Sequence, residues 1–226
     1  MSESRPAEDG TTTTTRLEAF SDGVFAIAVT LLVLEIKVPH GTPEGGLARA
    51  LLAQWPSYVA FVISFSQVGI IWANHHAVMD HVRRADRGLL MVTLFLLLVV
   101  SFIPFPTEVL ADHLAGPPGP DRTAAALFFG GAYVLMALAF HTLWRYIRRA
   151  DLLHDPAHPG VQAITRSFRF GPLIYLLVTL LALVSVPASV AASAALAVYW
   201  AWPGSSGTYR APGAARGRPG GGAAAA

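Results

Sequence analysis

The sequence predicts an all-α membrane protein with six transmembrane helices. Apolar residues make up 54% of its 226 residues and charged residues only 13%, about half the charged fraction of an ordinary soluble domain. Its mean hydropathy is +0.50. Apolar stretches also recur at lengths close to the ~20 residues that a helix needs to cross a bilayer. These features place most of the chain in the membrane.

The predicted spans follow from the positions of charged residues and prolines. Four spans are expected at residues 17–38, 51–78, 89–110 and 123–144. Residues 170–202 carry no charge and are too long for one ordinary span. A proline inside a helix removes a hydrogen-bond donor and clashes with the preceding turn. We therefore expect Pro187 to divide this stretch into two spans, and Pro104 and Pro106 to kink or end the third.

The distribution of basic residues predicts the orientation. Of the 16 arginines and lysines, 13 lie near the two termini or in the second and fourth loops. Cytoplasmic loops carry such an excess, so both termini are expected in the cytoplasm of a multi-pass protein of the cell membrane. Residues 1–15 and 204–226 are low in complexity and are expected to be disordered, leaving residues 16–203 as a single six-span domain.

Several function classes are excluded by composition and motifs. The chain has no cysteine, which rules out disulfides and thiolate metal sites. Its basic residues form no stripe on a soluble domain, so a nucleic-acid partner is not expected. No nucleotide-binding or hydrolase motif occurs in a suitable context. We therefore predict no catalytic residue, no cofactor and no metal.

The first span holds the most informative residues. Asp22 lies inside the apolar stretch, and charged residues in spans are functional candidates by default. At about 100° per residue, one face of the helix carries Phe20, Gly23, Ile27, Thr30, Leu31 and Leu34, whereas Asp22 points about 140° away from Ile27. Periodicity alone favours lipid contact or helix packing for this face, and lining a pore is the alternative.

Other polar residues allow competing interpretations. His75, His76, Asp80 and His81 form a cluster in which His76 and Asp80, four residues apart, could share a metal. No second cluster has suitable spacing, and His75 and His76 point about 100° apart, so a metal site is not favoured. Glu35 lies at the outer end of the first span. It is expected at a solvated edge, or, in an oligomer, in a charged ring at the outer mouth.

Residues 16–22, RLEAFSD, fit the R-x-x-x-F-S-D signature that opens the first span of the transmembrane protein 175 family. The chain resembles these potassium-permeable channels of lysosomes and bacteria. The continuation GVFAIAVTLLVLEIKVP looks like the bacterial branch, and further likeness lies in WANHH at 72–76 and SFIPFP at 101–106. The resemblance covers residues 16–186, and the single six-span unit is that of bacterial members.

The resemblance implies a homotetramer whose first spans line a central pore with an apolar constriction. The pore isoleucine of the family falls on Ile27, its next apolar rings on Leu31 and Leu34, and its threonine on Thr30. The family's polar network between the first two spans falls on Arg16, Phe20, Ser21, Asp22, Trp72, Asn74 and His75. Within it, the asparagine and histidine are expected to bond the Ser21–Asp22 pair.

Two functions are therefore predicted, in order of preference. The first is a channel domain that passes potassium and other monovalent cations, with the lipid bilayer and further copies of the chain as partners. The alternative is a proton-linked transporter or proton channel in which Asp22 and His75 or His76 relay protons. A third hypothesis, an intramembrane metal enzyme, rests on the histidine cluster. The first two functions differ in what drives ion movement, because a channel follows an imposed voltage whereas a coupled carrier needs a pH gradient.

Overall fold

The computed structural model describes residues 9–39 and 46–201. All regular elements in this part of the chain are helices, apart from an isolated bridge between two loops. The helices are α1 (Asp9–Leu31), followed by a 3-10 turn (Leu32–Glu35), α2 (Gly46–Ala53), α3 (Trp55–Met79), α4 (Arg87–Phe102), α5 (Pro104–Leu114), α6 (Pro120–Arg149), α7 (Pro159–Phe168), α8 (Gly171–Leu180) with a 3-10 turn (Leu181–Leu183), and α9 (Val186–Ala201). The predicted all-α class is confirmed.

Five helical segments are long and apolar enough to cross a membrane. They are Thr14–Glu35, Trp55–Met79, Arg87–Leu114, Pro120–Arg149 and Pro159–Leu183. The chain is thus a multi-pass membrane protein. The sixth segment, α9, has 16 residues and extends about 24 Å, less than the ~30 Å of a bilayer core. A count of six spans therefore stays a prediction.

The first helix begins before the predicted first span. Helix α1 starts at Asp9, inside the segment for which disorder is predicted; the disordered bounds 1–15 stay a prediction. The threonine run lies directly before an apolar span, and extending an existing helix costs much less than starting one. Residues 1–8 and the predicted disordered tail, residues 204–226, lie outside the described part of the chain.

Prolines interrupt the helices close to the expected positions. The third span is divided between Phe102 and Pro104, where α4 ends and α5 begins. The last apolar stretch is interrupted after Leu183, and α9 then begins one residue before Pro187. The hydroxyl of Ser185 accepts a hydrogen bond from the Ala188 amide at 3.3 Å, which satisfies one of the free donors at the start of α9.

The core forms around α6, which packs against α4, α5, α8 and α9. Large side chains such as Met136, Phe140 and Leu143 are almost completely buried along it. Gly130 allows α8 to approach closely, because a Cβ at this position would lie 2.5 Å from the Thr179 hydroxyl. Small residues commonly bring membrane helices together in this way.

Contacts at the two ends of the bundle agree with the prediction that successive spans run in opposite directions, so that alternate loops lie at the same end. At one end, the loop after α3 joins the loop after α6 through the Val82–Leu153 bridge and an ion pair of 3.0 Å between Arg83 and Asp151. These are the two arginine-rich loops. Elsewhere, Lys37, just beyond α1, pairs with a carboxylate of α5, which places these two segment ends together.

A buried glutamine links three helices. Gln67 of α3 is 1% exposed. Its Oε1 accepts a hydrogen bond of 2.6 Å from the Tyr175 hydroxyl of α8, and its Nε2 donates to the Ser193 carbonyl of α9 at 3.2 Å. Away from water, each of these polar groups needs a protein partner. The glutamine therefore ties α8 and α9 to the rest of the bundle.

Substituting Gln67→Leu is expected to lower stability by about 1–2 kcal/mol, because two interhelical hydrogen bonds are lost and the Tyr175 hydroxyl keeps no partner. Tyr175→Phe removes one bond, so its effect is expected to be smaller. Reversible unfolding of both single variants and the double variant measures their coupling. Ser66→Ala, one residue earlier on α3, is the control. Additive losses for Gln67 and Tyr175 would contradict the link.

Candidate ion pathway and the polar contacts behind it

The predicted face of α1 is exposed in the chain. Ile27, Leu31 and Leu34 are 61%, 41% and 68% exposed, and Thr30 lies between them, also exposed. The opposite face is buried against other helices and includes Phe25, Ala28 and Leu32. The helix therefore has one face packed inside its own chain and one apolar face that its own chain leaves uncovered.

The end of this segment tightens from an α-helix into a 3-10 turn. Helix α1 ends at Leu31, and residues Leu32–Glu35 form the turn. Side chains three residues apart eclipse one another in a 3-10 helix, so Leu34 lies above Leu31 rather than rotating away from it. The tighter turn extends the exposed apolar face toward the end of the segment.

Thr30 is the polar member of this face. Its hydroxyl hydrogen-bonds within its own helix, at 3.0 Å from the Ala26 carbonyl and 2.9 Å from the Ile27 carbonyl. The hydroxyl proton is shared between these two carbonyls, so the lone pairs of the hydroxyl oxygen stay available to a ligand on the exposed face. The face thus combines three apolar side chains with one oxygen acceptor.

Asp22 is held by α3. Trp72 donates a hydrogen bond from Nε1 to Oδ1 of Asp22 at 2.8 Å. A charge-assisted hydrogen bond of this length is stronger than a bond between neutral groups. The tryptophan therefore fixes α1 to α3 between one and two helical turns before the exposed Ile27.

The other residues of the predicted network behave differently. The Ser21 hydroxyl donates to the Leu17 carbonyl within α1 at 2.8 Å. Among the described residues, Asn74, His75 and Arg16 make no side-chain hydrogen bond to Asp22. The expectation that the asparagine and histidine bond the Ser21–Asp22 pair is thus not met within one chain. Trp72 and His75, three residues apart on α3, lie only about 60° apart. Of the two, Trp72 bonds the carboxylate, whereas His75 is buried in the bundle.

The histidine cluster is also divided between different surroundings. His75 is buried and packs its ring against Phe25, with ring centroids 5.7 Å apart. His76 stacks on Trp72 at 6.3 Å. In the part of the chain that the structure describes, no group of three or more histidine, aspartate and glutamate side chains is placed to hold a metal. These contacts favour packing roles for the two histidines.

Charged residues gather at the far end of α1. Lys37 Nζ lies 2.7 Å from Glu108 Oε1 and 3.9 Å from Asp112 Oδ2, both on α5. The hydrogen bond to Glu108 and the charge of Asp112 raise the pKa of the Lys37 ammonium, so it stays positive at physiological pH. Glu35 is partly exposed beside this group. Three carboxylates and one cation thus gather where the residues after α1 meet α5.

Two contacts were not foreseen from the sequence. The hydropathy pattern gave no reason to pair Lys37 with α5, although Glu108 and Asp112, four residues apart, share one helical face. The interhelical role of Gln67 is likewise not predicted from the sequence, although a strongly polar amide in the middle of an apolar span indicates such a role.

The chain is similar to known channels along most of its length. A family model described as endosomal/lysosomal potassium channel TMEM175 matches residues 16–104. A potassium channel of Streptomyces collinus is 48% identical, with 82% of this chain and 90% of the relative covered. A potassium channel of Chamaesiphon minutus is 45% identical, with 83% and 93% covered. The human endosomal/lysosomal proton channel TMEM175 is 40% identical over 39% of this chain and 19% of its own length.

A solved structure extends the likeness to the fold. The crystal structure of a lysosomal potassium-selective channel TMEM175 homolog from Chamaesiphon minutus matches with a TM-score of 0.74 and 41% sequence identity. The match covers 84% of this chain and 97% of that one. The helices that position the exposed face of α1 therefore have counterparts in that channel. From this similarity in sequence and structure, the chain belongs to the TMEM175 family.

Proposed function

We propose that the protein is a potassium-permeable channel of the cell membrane through which monovalent cations pass passively. The observation that carries this function is the match, over nearly the whole of that chain, to a structure described as potassium-selective. The two bacterial relatives named potassium channels support it. The family is one of channels, so no catalytic activity is proposed.

The pore is proposed to form in a homotetramer, with one α1 from each chain around a central axis. A symmetric oligomer supplies a closed pore that one small helical chain does not form. The uncovered apolar face of α1 supports this arrangement, because Ile27, Leu31 and Leu34 could form successive rings at the axis. The arginine-rich loops and both termini are placed on the cytoplasmic side.

Selectivity between cations in such a pore would depend on the free-energy cost of removing water from each ion. An ion at an apolar ring loses hydration without gaining protein ligands. Potassium is larger and holds its water less tightly than sodium, so losing water at the ring costs potassium less free energy than sodium. Thr30, with its free oxygen lone pairs, offers one contact between the apolar rings. In the tetramer, Glu35 would attract cations at the outer mouth.

Proteoliposomes loaded with potassium provide the test. With no pH gradient, potassium efflux is expected to follow an imposed voltage and to reach several times the efflux of sodium from matched vesicles. Light scattering of the purified protein should give a mass of four chains of 24.0 kDa. A conducting monomer would overturn the assembly, and transport that requires a pH gradient would overturn passive conduction.

A proton channel is the second candidate, because the human relative named a proton channel matches part of the chain. The relay proposed for it uses Asp22 and His75 or His76. A pH-sensitive dye inside the same vesicles distinguishes the two functions. Voltage-driven acidification without potassium flux would favour the proton channel, whereas potassium flux at constant internal pH would exclude it as the main activity.

A further inference from the structure

Three arginines line one cavity at the arginine-rich end of the bundle. Arg148 lies near the end of α6, Arg166 near the end of α7, and Arg169 just after α7. The cavity measures about 340 Å³, and Gln162 and Thr165 add polar groups to its wall. It is therefore a basic recess between two helices rather than a row of separate surface charges.

The described residues leave this positive charge without a neutralising partner. Their ion pairs involve Lys37 and Arg83, not the cavity arginines. The segment 145–169 has five arginines and only two aspartates. One of these, Asp151, pairs with Arg83, and the other, Asp155, accepts a hydrogen bond from the Ala157 amide at 2.9 Å. The recess is thus suited to an anion.

The recess lies where an uncharged stretch of the chain begins. This stretch, which forms α8 and α9, starts at Phe170, which is 53% exposed directly after Arg169. Helix α7 forms the first part of the apolar segment Pro159–Leu183, but it is amphipathic, with Val161 and Ile164 buried and Gln162 and Arg166 exposed. The polar face of such a helix is suited to the level of the lipid headgroups.

An apolar cavity adjoins the basic one along the chain. Its wall includes Phe168, Gly171, Pro172 and Trp200, from α7, α8 and α9. Along the chain, Phe168 and Gly171 line the apolar cavity, and Arg169 and Phe170 between them line the basic one. Beyond Phe170, α8 exposes apolar side chains such as Leu173 and Leu177. A basic recess followed by an exposed apolar helix matches the two parts of a phospholipid, a charged headgroup and its acyl chains. A free phosphate ion would use only the first.

We propose that the recess of Arg148, Arg166 and Arg169 binds the phosphate headgroup of an anionic phospholipid in the leaflet on this side, with its acyl chains along the exposed apolar side chains of α8. Guanidinium groups donate paired hydrogen bonds that match phosphate oxygens in geometry and charge. Basic pockets between membrane helices bind anionic headgroups elsewhere. This site does not depend on whether ions pass through the protein.

The test uses the full chain purified in a neutral detergent and examined by native mass spectrometry. It is titrated with short-chain phosphatidylglycerol, with phosphatidylcholine of the same chain length, and with inorganic phosphate. Phosphatidylglycerol should bind most tightly. The double variant Arg148→Gln/Arg166→Gln, which removes one charge from each helix, should weaken its binding roughly thirtyfold, about fivefold for each arginine.

The matched control is Arg84→Gln/Arg149→Gln, which removes the same charge from exposed positions outside the recess. It should change the affinity less than about threefold, because exposed charges beyond the contact are screened. An equal loss in the control would show diffuse attraction and overturn the site. Binding of phosphatidylcholine or of inorganic phosphate as tightly as phosphatidylglycerol would overturn the anionic lipid as ligand.

Discussion

Replacing Ile27 with asparagine is expected to raise potassium conductance roughly tenfold and to weaken discrimination against sodium. A tenfold increase corresponds to a barrier lower by about 1.4 kcal/mol. The reason is that a smaller, polar side chain at Ile27, which we propose as the tightest apolar ring, would admit water and offer an oxygen ligand, so an ion would keep more of its hydration. Single-channel recording in a planar bilayer measures conductance, and reversal potentials in mixed potassium and sodium measure selectivity.

Val29→Asn is the matched control for this substitution. Val29 lies two residues along the same helix and packs partly against the buried core rather than the exposed face. Its substitution is expected to cost stability and to leave conductance per open channel and selectivity unchanged. Equal changes in conductance at positions 27 and 29 would mean that the helix is rotated, and that the exposed face does not line the pore.

Removal of the carboxylate in Asp22→Ala is expected to loosen assembly or alter gating while ion preference is retained. The bond between Asp22 and Trp72 holds α1 to α3, away from the exposed apolar face. Interhelical hydrogen bonds in membranes contribute about 0.6 kcal/mol on average and up to ~2 kcal/mol. The thermal midpoint of the oligomer and the open probability should therefore fall, and reversal potentials should stay the same.

Trp72→Phe separates the hydrogen bond from the aromatic packing, because it removes the Nε1 donor and keeps an aromatic ring. It should reproduce most of the effect of Asp22→Ala. Trp55→Phe is the control, since Trp55 is similarly exposed at the other end of α3, with no hydrogen bond from its indole among the described residues. Lost selectivity with an unchanged thermal midpoint in Asp22→Ala would instead place this carboxylate in the pore.

Much of the fold follows from properties that act along the chain. Apolar length sets the spans, and the interruptions at Pro104 and just before Pro187 follow from the missing amide of proline. The exposure of Ile27 together with Leu34 follows from helical phase, with the 3-10 turn as a local addition. These features depend on neighbours in sequence, so the sequence alone is sufficient to predict them.

Contacts between helices were harder to predict because they depend on how each helix rotates about its axis. His75 and Trp72 are three residues apart, and both carry ring N–H donors, yet only Trp72 faces Asp22. Lys37 could reach water, but the structure pairs it with Glu108 across to α5. Helix rotation is set by packing between residues that are distant in sequence, so local patterns do not predict it.

Substitutions on the two faces of α1 are expected to differ in their effect on stability. Substitutions at Phe25 or Leu32 disturb the interior of the chain, where lost volume is costly. Substitutions on the uncovered face leave that interior intact. They are therefore expected to change the stability of the chain little, whereas most mutations lower it. In the proposed pore, such a helix could acquire new conduction properties during evolution, or in engineered variants, without first gaining stability elsewhere.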